Sequence, residues 1–201
     1  MNTARDLVIV AVDTAPDHPL ERGDLSLALA GAEVLDLLDA GAVSVDGDRL
    51  VPDTGTRTGD RLLDEAAEQL VRQEPYESVE DWLWRRGRGL SAAYVTELEK
   101  EGLTAKPRGL RNPLRAVPTE LVDSPDRRRA EERWAAGEPV LVTLASAAGF
   151  GDEPAEDSED ITEDAVTAVL AAVGDAVMEL EAVRQRKQIT DAAYDNIWRG
   201  M

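Results

Sequence analysis

Cysteine is absent from the 201 residues, so neither a disulfide nor a thiolate metal site can form. That fits a reducing compartment. Aromatic residues are scarce: one Phe, three Tyr and four Trp leave a core of Ala, Val and Leu, which favours helices. Histidine occurs once, as His18, between Asp17 and Pro19, and reads as an exposed loop residue. No apolar run is long enough and free enough of acids to span a membrane. The first residues carry no basic flank followed by an apolar stretch and a small-residue cleavage site, so no signal peptide is expected. No repeat and no convincing linker divides the chain, and one domain over residues 1–201 is the default at this length.

Positive charge is also in short supply. Lys and Arg number 22 against 41 Asp and Glu, a formal net charge of −19 that argues against nonspecific nucleic-acid binding. The deficit is uneven. From Arg85 to Arg133 twelve basic residues face eight acids, a local +4, which leaves −23 for the remainder. Catalytic signatures are missing too. No serine lies in a nucleophile elbow, no glycine-rich loop has the context of a phosphate cradle, and the acids around 151–161 lack calcium-loop spacing. That acidic stretch reads as a mobile, solvated loop. No enzyme activity, cofactor or metal is predicted.

What is present is organised around Leu25–Ala40. Nearly every residue there is apolar or small, and Ser26, Glu33 and Asp36 form one narrow polar stripe at helical spacing. A surface helix has the reverse proportions, so a buried central helix is expected. Past Gly41 the period drops to two: Val43 and Val45, then Asp46-Gly47, then Leu50, a hairpin signal. Further helices are predicted over Asp60–Gln73 (Leu62, Leu63, Ala66, Ala67, Leu70 and Val71 inward), Ser78–Trp84 and Ser91–Lys100. Others follow at Ser124–Trp134, Pro139–Ala148 and Thr162–Gln188, with a last short one over Ile189–Trp198. Along Thr162–Gln188, Val166, Val169, Val173, Val177, Leu180 and Val183 form the inward face, and Gly174 is its weak point. Leu103–Val122, with four prolines or glycines, reads as a second hairpin or an extended loop. Asp6–Val12 alone is compatible with strand or helix. Of the tryptophans, Trp82 is expected in the core and Trp84 part-exposed. The fold class is therefore mainly α, a single helical domain around a buried helix with one or two short β-hairpins.

The candidate binding residues come from the basic stretch. Arg85, Arg86 and Arg88 flank the break at Gly87 and Gly89, which is expected to expose three guanidiniums. Lys106, Arg108, Arg111 and Arg115 alternate with Leu110 and Leu114. Planar guanidinium forks suit phosphate, and basic plus apolar residues on one loop suit an anionic bilayer. The competing reading has these arginines paired with the chain's own acids or mediating oligomer contacts.

The ordered series Leu29-Ala30-Gly31, Gly41, Thr58-Gly59-Asp60, Leu62-Leu63-Asp64-Glu65-Ala66, Val79 with Trp82, Leu98 and Gly102-Leu103 resembles the Golgi phosphoprotein 3 family, as found in high-GC bacteria and in eukaryotic Golgi adaptors. The resemblance runs from Asp6 to about Trp134 and more faintly beyond. It implies that Asp6–Val12 is helical, with Thr3 as N-cap. It also implies a peripheral membrane adaptor that binds phosphatidylinositol 4-phosphate head groups and inserts a protruding hairpin. Of the family's head-group pocket, the tryptophan falls near Glu21 and the arginine before the glycine pair falls at Ala30. Arg88 matches one of the later arginines, and Ser91 takes the place of the other. The expectation is thus a non-enzymatic protein of the cytoplasm, or peripheral on the inner face of the cell membrane, docking on anionic or phosphoinositide-like lipid. The alternative is a soluble scaffold that binds a protein partner and self-associates through the same hairpin.

Overall fold

A computed structural model describes residues 2–14, 22–53, 57–105, 120–151 and 163–199. His18, the 106–119 segment and most of the acidic stretch around 151–161 lie outside them. The central helix is α2, Arg22–Asp39, and six helices touch it: α1 (Thr3–Asp13), α3 (Arg61–Gln69), α4 (Val79–Arg86), α5 (Leu90–Lys100), α7 (Pro139–Ala147) and α8 (Asp164–Arg199). Helix α6, Pro125–Ala135, packs on α1 and α7 instead. Ala28, Leu29, Ala30, Ala32, Val34 and Leu37 of α2 are fully buried. Gly31 marks the closest approach to α8, because a Cβ there would collide with Val173. Helix α2 ends as its sequence predicts. Gly41 takes φ of 66°, and the Ala42 N–H reaches back to the Leu37 carbonyl at 2.9 Å. Strands β1 (Val43–Asp46) and β2 (Arg49–Pro52) follow as an antiparallel hairpin, with Asp46 opposite Arg49 and Gly47 at φ 62° in the turn. A second, minimal pair joins β3 (Thr104–Ala105) to β4 (Glu120–Leu121) in antiparallel register. Among the described residues the chain is mainly α.

Several details differ from the sequence reading. The N-cap of α1 is Asn2 rather than Thr3: its Oδ1 accepts from the Arg5 N–H at 2.8 Å. Thr3 and Ala4 instead give their N–H groups to Asp36 of α2, at 2.7 and 3.0 Å. Helix α3 stops at Gln69, four residues early, because Leu70 turns extended (φ −60°, ψ 139°). Leu70 stays buried, but Val71 loses its helical register and is exposed. Elsewhere serine or aspartate side chains close the helix starts. Ser78 accepts from the Asp81 N–H and Ser124 from the Arg127 N–H, while Asp60 caps α3 through the Leu62 and Leu63 N–H groups.

Helix α8 is one helix of 36 residues, not a long and a short one. No glycine or proline interrupts it between Gln188 and Trp198, so nothing in the chain breaks it there. Val169, Val173 and Ala176 enter the core, Val166, Val177 and Leu180 pack on its edge, and Val183 is 48% exposed. The expected inward face therefore ends at Leu180, where the helix outruns the body. No helix among the described residues is long and apolar enough to cross a membrane. Gly174 sits mid-helix with open space where a Cβ would stand. Gly174→Ala should raise stability by about 0.5–1 kcal/mol, read as a higher urea midpoint with an unchanged slope. A lower midpoint would show a close contact at that position.

Candidate anion-docking site

The break between α4 and α5 forms where the glycines place it, with Gly89 in the left-handed region at φ 73°. The three arginines around it do not share an environment. Arg86 was expected to be exposed, and it turns inward. Its Nε and Nη2 donate to the two Glu33 oxygens at 2.8 and 2.9 Å, Nη1 donates to Glu65 at 2.9 Å, and Nη2 also reaches the Leu62 carbonyl. Its side chain is 7% accessible and that of Glu33 is 0%. The polar stripe of α2 supplies the reason. Glu33 is buried and needs a fully satisfied counter-charge, and the last turn of α4 delivers one. Tyr94 completes the cluster by donating to Glu33 at 3.1 Å. Burial works against the Arg86 charge, but the hydrogen bonds and charge of Glu33 outweigh it and raise its pKa.

Arg85 lies across the Trp82 ring at 5.0 Å and places its fork on Glu77 at 2.6 and 2.7 Å. Arg88 is different. It is exposed and makes no hydrogen bond or ion pair with another described residue. It stands on a cavity of about 370 Å³ lined also by Gly23, Ser26, Trp84, Ser91 and Leu180. Ser26 and Ser91 are joined there: the Ser91 N–H donates to Ser26 Oγ at 3.1 Å, and the two hydroxyls are 3.0 Å apart. Trp82 is buried and Trp84 part-exposed, as the sequence suggests.

The rest of the basic stretch is largely neutralised. Arg127 pairs with Asp13 and Glu131, Arg128 with Asp123, Arg129 with Asp6 and Asp126, Arg133 with Asp6 and Glu138, and Lys100 with Glu97. Together with Arg85 and Arg86, seven of the eight described cations between Arg85 and Arg133 hold carboxylates, and Arg88 is the eighth. Lys106, Arg108, Leu110, Arg111, Leu114 and Arg115 lie outside the described residues. Sequence reasoning missed Leu180 and Gly23 as parts of the Arg88 cavity. The sequence places Leu180 only on the periodic apolar face of α8, which runs on to Val183 and points to no cavity.

A second cavity, of about 470 Å³, gathers Asn2, Asp36, Asp39, Arg57, Thr58 and Asp60. Converging acids are what a hydrolytic site would need. Two of these acids already have structural tasks: Asp36 caps α1, and Asp60 caps α3 while accepting from Asn2 at 2.8 Å. No cluster of metal-ligating residues occurs among the described residues. Burial pushes the Asp36 carboxyl from 3.8 up to about 6, against the Ala4 and Thr3 N–H bonds and the nearby N-terminal ammonium. A carboxyl raised on folding contributes stability below its unfolded value and loses it as pH rises through the folded one. The advantage of the native protein over Asp36→Asn should therefore shrink by about 2.5 kcal/mol between about pH 4 and about pH 7. Paired urea titrations at several pH values measure this. A flat difference would mean that the carboxyl titrates normally.

The family profile of Golgi phosphoprotein 3 (GPP34) matches residues 4–190, almost the whole chain. The chain belongs to the Golgi phosphoprotein 3 family. No protein with a curated description matches it. The Golgi phosphoprotein 3 family is not a known enzyme family. Within this Golgi phosphoprotein 3 fold the position of Ala30 carries no charge. It is fully buried, and its carbonyl accepts from Trp82 Nε1 at 3.2 Å. Arg88 and Ser91, in contrast, line one cavity.

Proposed function

We propose that this Golgi phosphoprotein 3 family member is a non-enzymatic protein that docks peripherally on anionic, phosphoinositide-like lipid head groups. The supporting observation is Arg88: an exposed guanidinium with no carboxylate partner among the described residues, on an open cavity beside Trp84 and Ser91. Guanidinium matches phosphate geometry, and a part-exposed tryptophan suits an interface that is wet on one side and apolar on the other. Arg85 and Arg86 contribute little directly, because Glu77 and Glu33 occupy their forks. The Lys106–Arg115 segment would add further positive charge and the Leu110 and Leu114 side chains.

Co-sedimentation with phosphatidylcholine vesicles, with and without phosphatidylinositol 4-phosphate, tests the reading. Pelleting should depend on the anionic lipid and fall with salt. Arg88→Ala should weaken it about fivefold, the effect of one basic residue at such a surface. Equal pelleting on neutral and anionic vesicles would overturn the proposal, as would an Arg88→Ala variant that docks normally.

A further inference from the structure

Helix α8 brings a second guanidinium, 96 residues from Arg88 in the chain, against Gly23 in the lining of the Arg88 cavity. Leu180 lines the cavity, and Arg184 follows one turn later on the same face. Gly23, also in the lining, admits both. A Cβ there would lie 2.7 Å from Arg184 Nη2 and 2.8 Å from Leu180 Cδ2. Arg184 does not stand alone. Its Nη1 is 2.9 Å from each oxygen of Asp24, the residue after Gly23, with Glu181 at 3.6 Å. The Arg184 and Asp24 side chains are 23% and 13% accessible, so the pair is largely withdrawn from water.

We infer that Arg184 is the second wall of the phosphate site, and that Asp24 is its resident counter-ion, replaced at Arg184 by the phosphomonoester of a lipid head group. This rests on the docking reading given above. The chemistry favours exchange. A phosphomonoester carries up to two negative charges and more acceptor oxygens than a carboxylate, and a site between Arg88 and Arg184 offers it two planar forks. Asp24 then tunes affinity: it holds the guanidinium in place while the site is empty and competes with the ligand when it arrives.

The test uses the full chain and vesicles of phosphatidylcholine containing phosphatidylinositol 4-phosphate, with phosphatidylserine vesicles as the arm lacking a phosphomonoester. Asp24→Asn should strengthen docking to the phosphomonoester vesicles about fivefold, and Arg184→Gln should weaken it by a similar factor. Asp164→Asn is the control for net charge. It lies at the start of α8, about 24 Å along the helix from Leu180 and well beyond the screening length, so its effect should be small. Soluble inositol phosphate should compete with docking of the Asp24→Asn variant. Should Asp24→Asn fold poorly by circular dichroism, Asp24→Ser removes the same charge and keeps an acceptor. Asp24 and Asp164 variants that dock alike would overturn the inference, as would an unchanged Arg184→Gln. If Arg88→Ala lowers docking while the Asp24 and Arg184 variants do nothing, only this inference fails. If none of the variants departs from an absence of docking, the underlying reading fails as well.

Discussion

Arg86→Ala is expected to lower the stability of the domain by about 3–5 kcal/mol, the cost of leaving a buried carboxylate without its partner. Glu33 has no water to fall back on: its side chain is 0% accessible, and Arg86 supplies two of its hydrogen bonds. Tyr94 alone would remain, a neutral donor facing a full charge. The pair itself has modest net worth, since both ions are desolvated to form it. Replacing both residues together, Glu33→Leu with Arg86→Met, should therefore cost much less than either single change. Urea denaturation of the two single variants and the double variant measures this. A single Arg86→Ala cost below about 1 kcal/mol would mean that water reaches Glu33. The same experiment separates stability from docking, because Arg86 faces inward and Arg88 outward.

Trp82→Ala should cost a similar amount, about 3–5 kcal/mol. Among the described residues Trp82 is the largest fully buried side chain, and it stands against α2, where its Nε1 donates to the Ala30 carbonyl. Removing it leaves a cavity that the surrounding leucines cannot fill without moving α4 relative to α2. It also removes the platform under the Arg85 guanidinium. Trp82→Phe, which keeps an aromatic face but loses the indole N–H, should retain part of the difference. Calorimetric midpoints of the three proteins test the order. A Trp82→Ala protein as stable as Trp82→Phe would contradict the packing described here.

The helices, the first hairpin and several helix ends were legible because they rest on short-range signals: period, glycine after a helix, serine before one. The central position of α2 was legible for the same reason, since only a buried helix is greasy on nearly all sides. The tasks of its polar stripe were not. Hydropathy treats Ser26, Glu33 and Asp36 alike as polar, and their partners are 65, 53 and 32–33 residues distant in the chain. The same blindness made Arg86 look like a surface cation. Adjacent arginines at a helix end point in different directions, and the choice between them is made by an acid on another helix. The contact of Arg184 with Asp24 was invisible because the two residues are 160 positions apart in the chain. Where α8 leaves the body was equally unreadable, since Val183 continues the pattern after the core has ended.

The contact between Gly31 and Val173 has an evolutionary consequence. A side chain at Gly31 would collide with Val173, so the two positions, 142 residues apart in the chain, are sterically coupled. A lineage that acquires a side chain at the first must shrink the second or let the two longest helices drift apart. The interhelical spacing that brings Leu180 and Arg184 to the start of α2 is thus guarded by the smallest residue in the protein. Substitution has more room at the cavity rim than at that crossing.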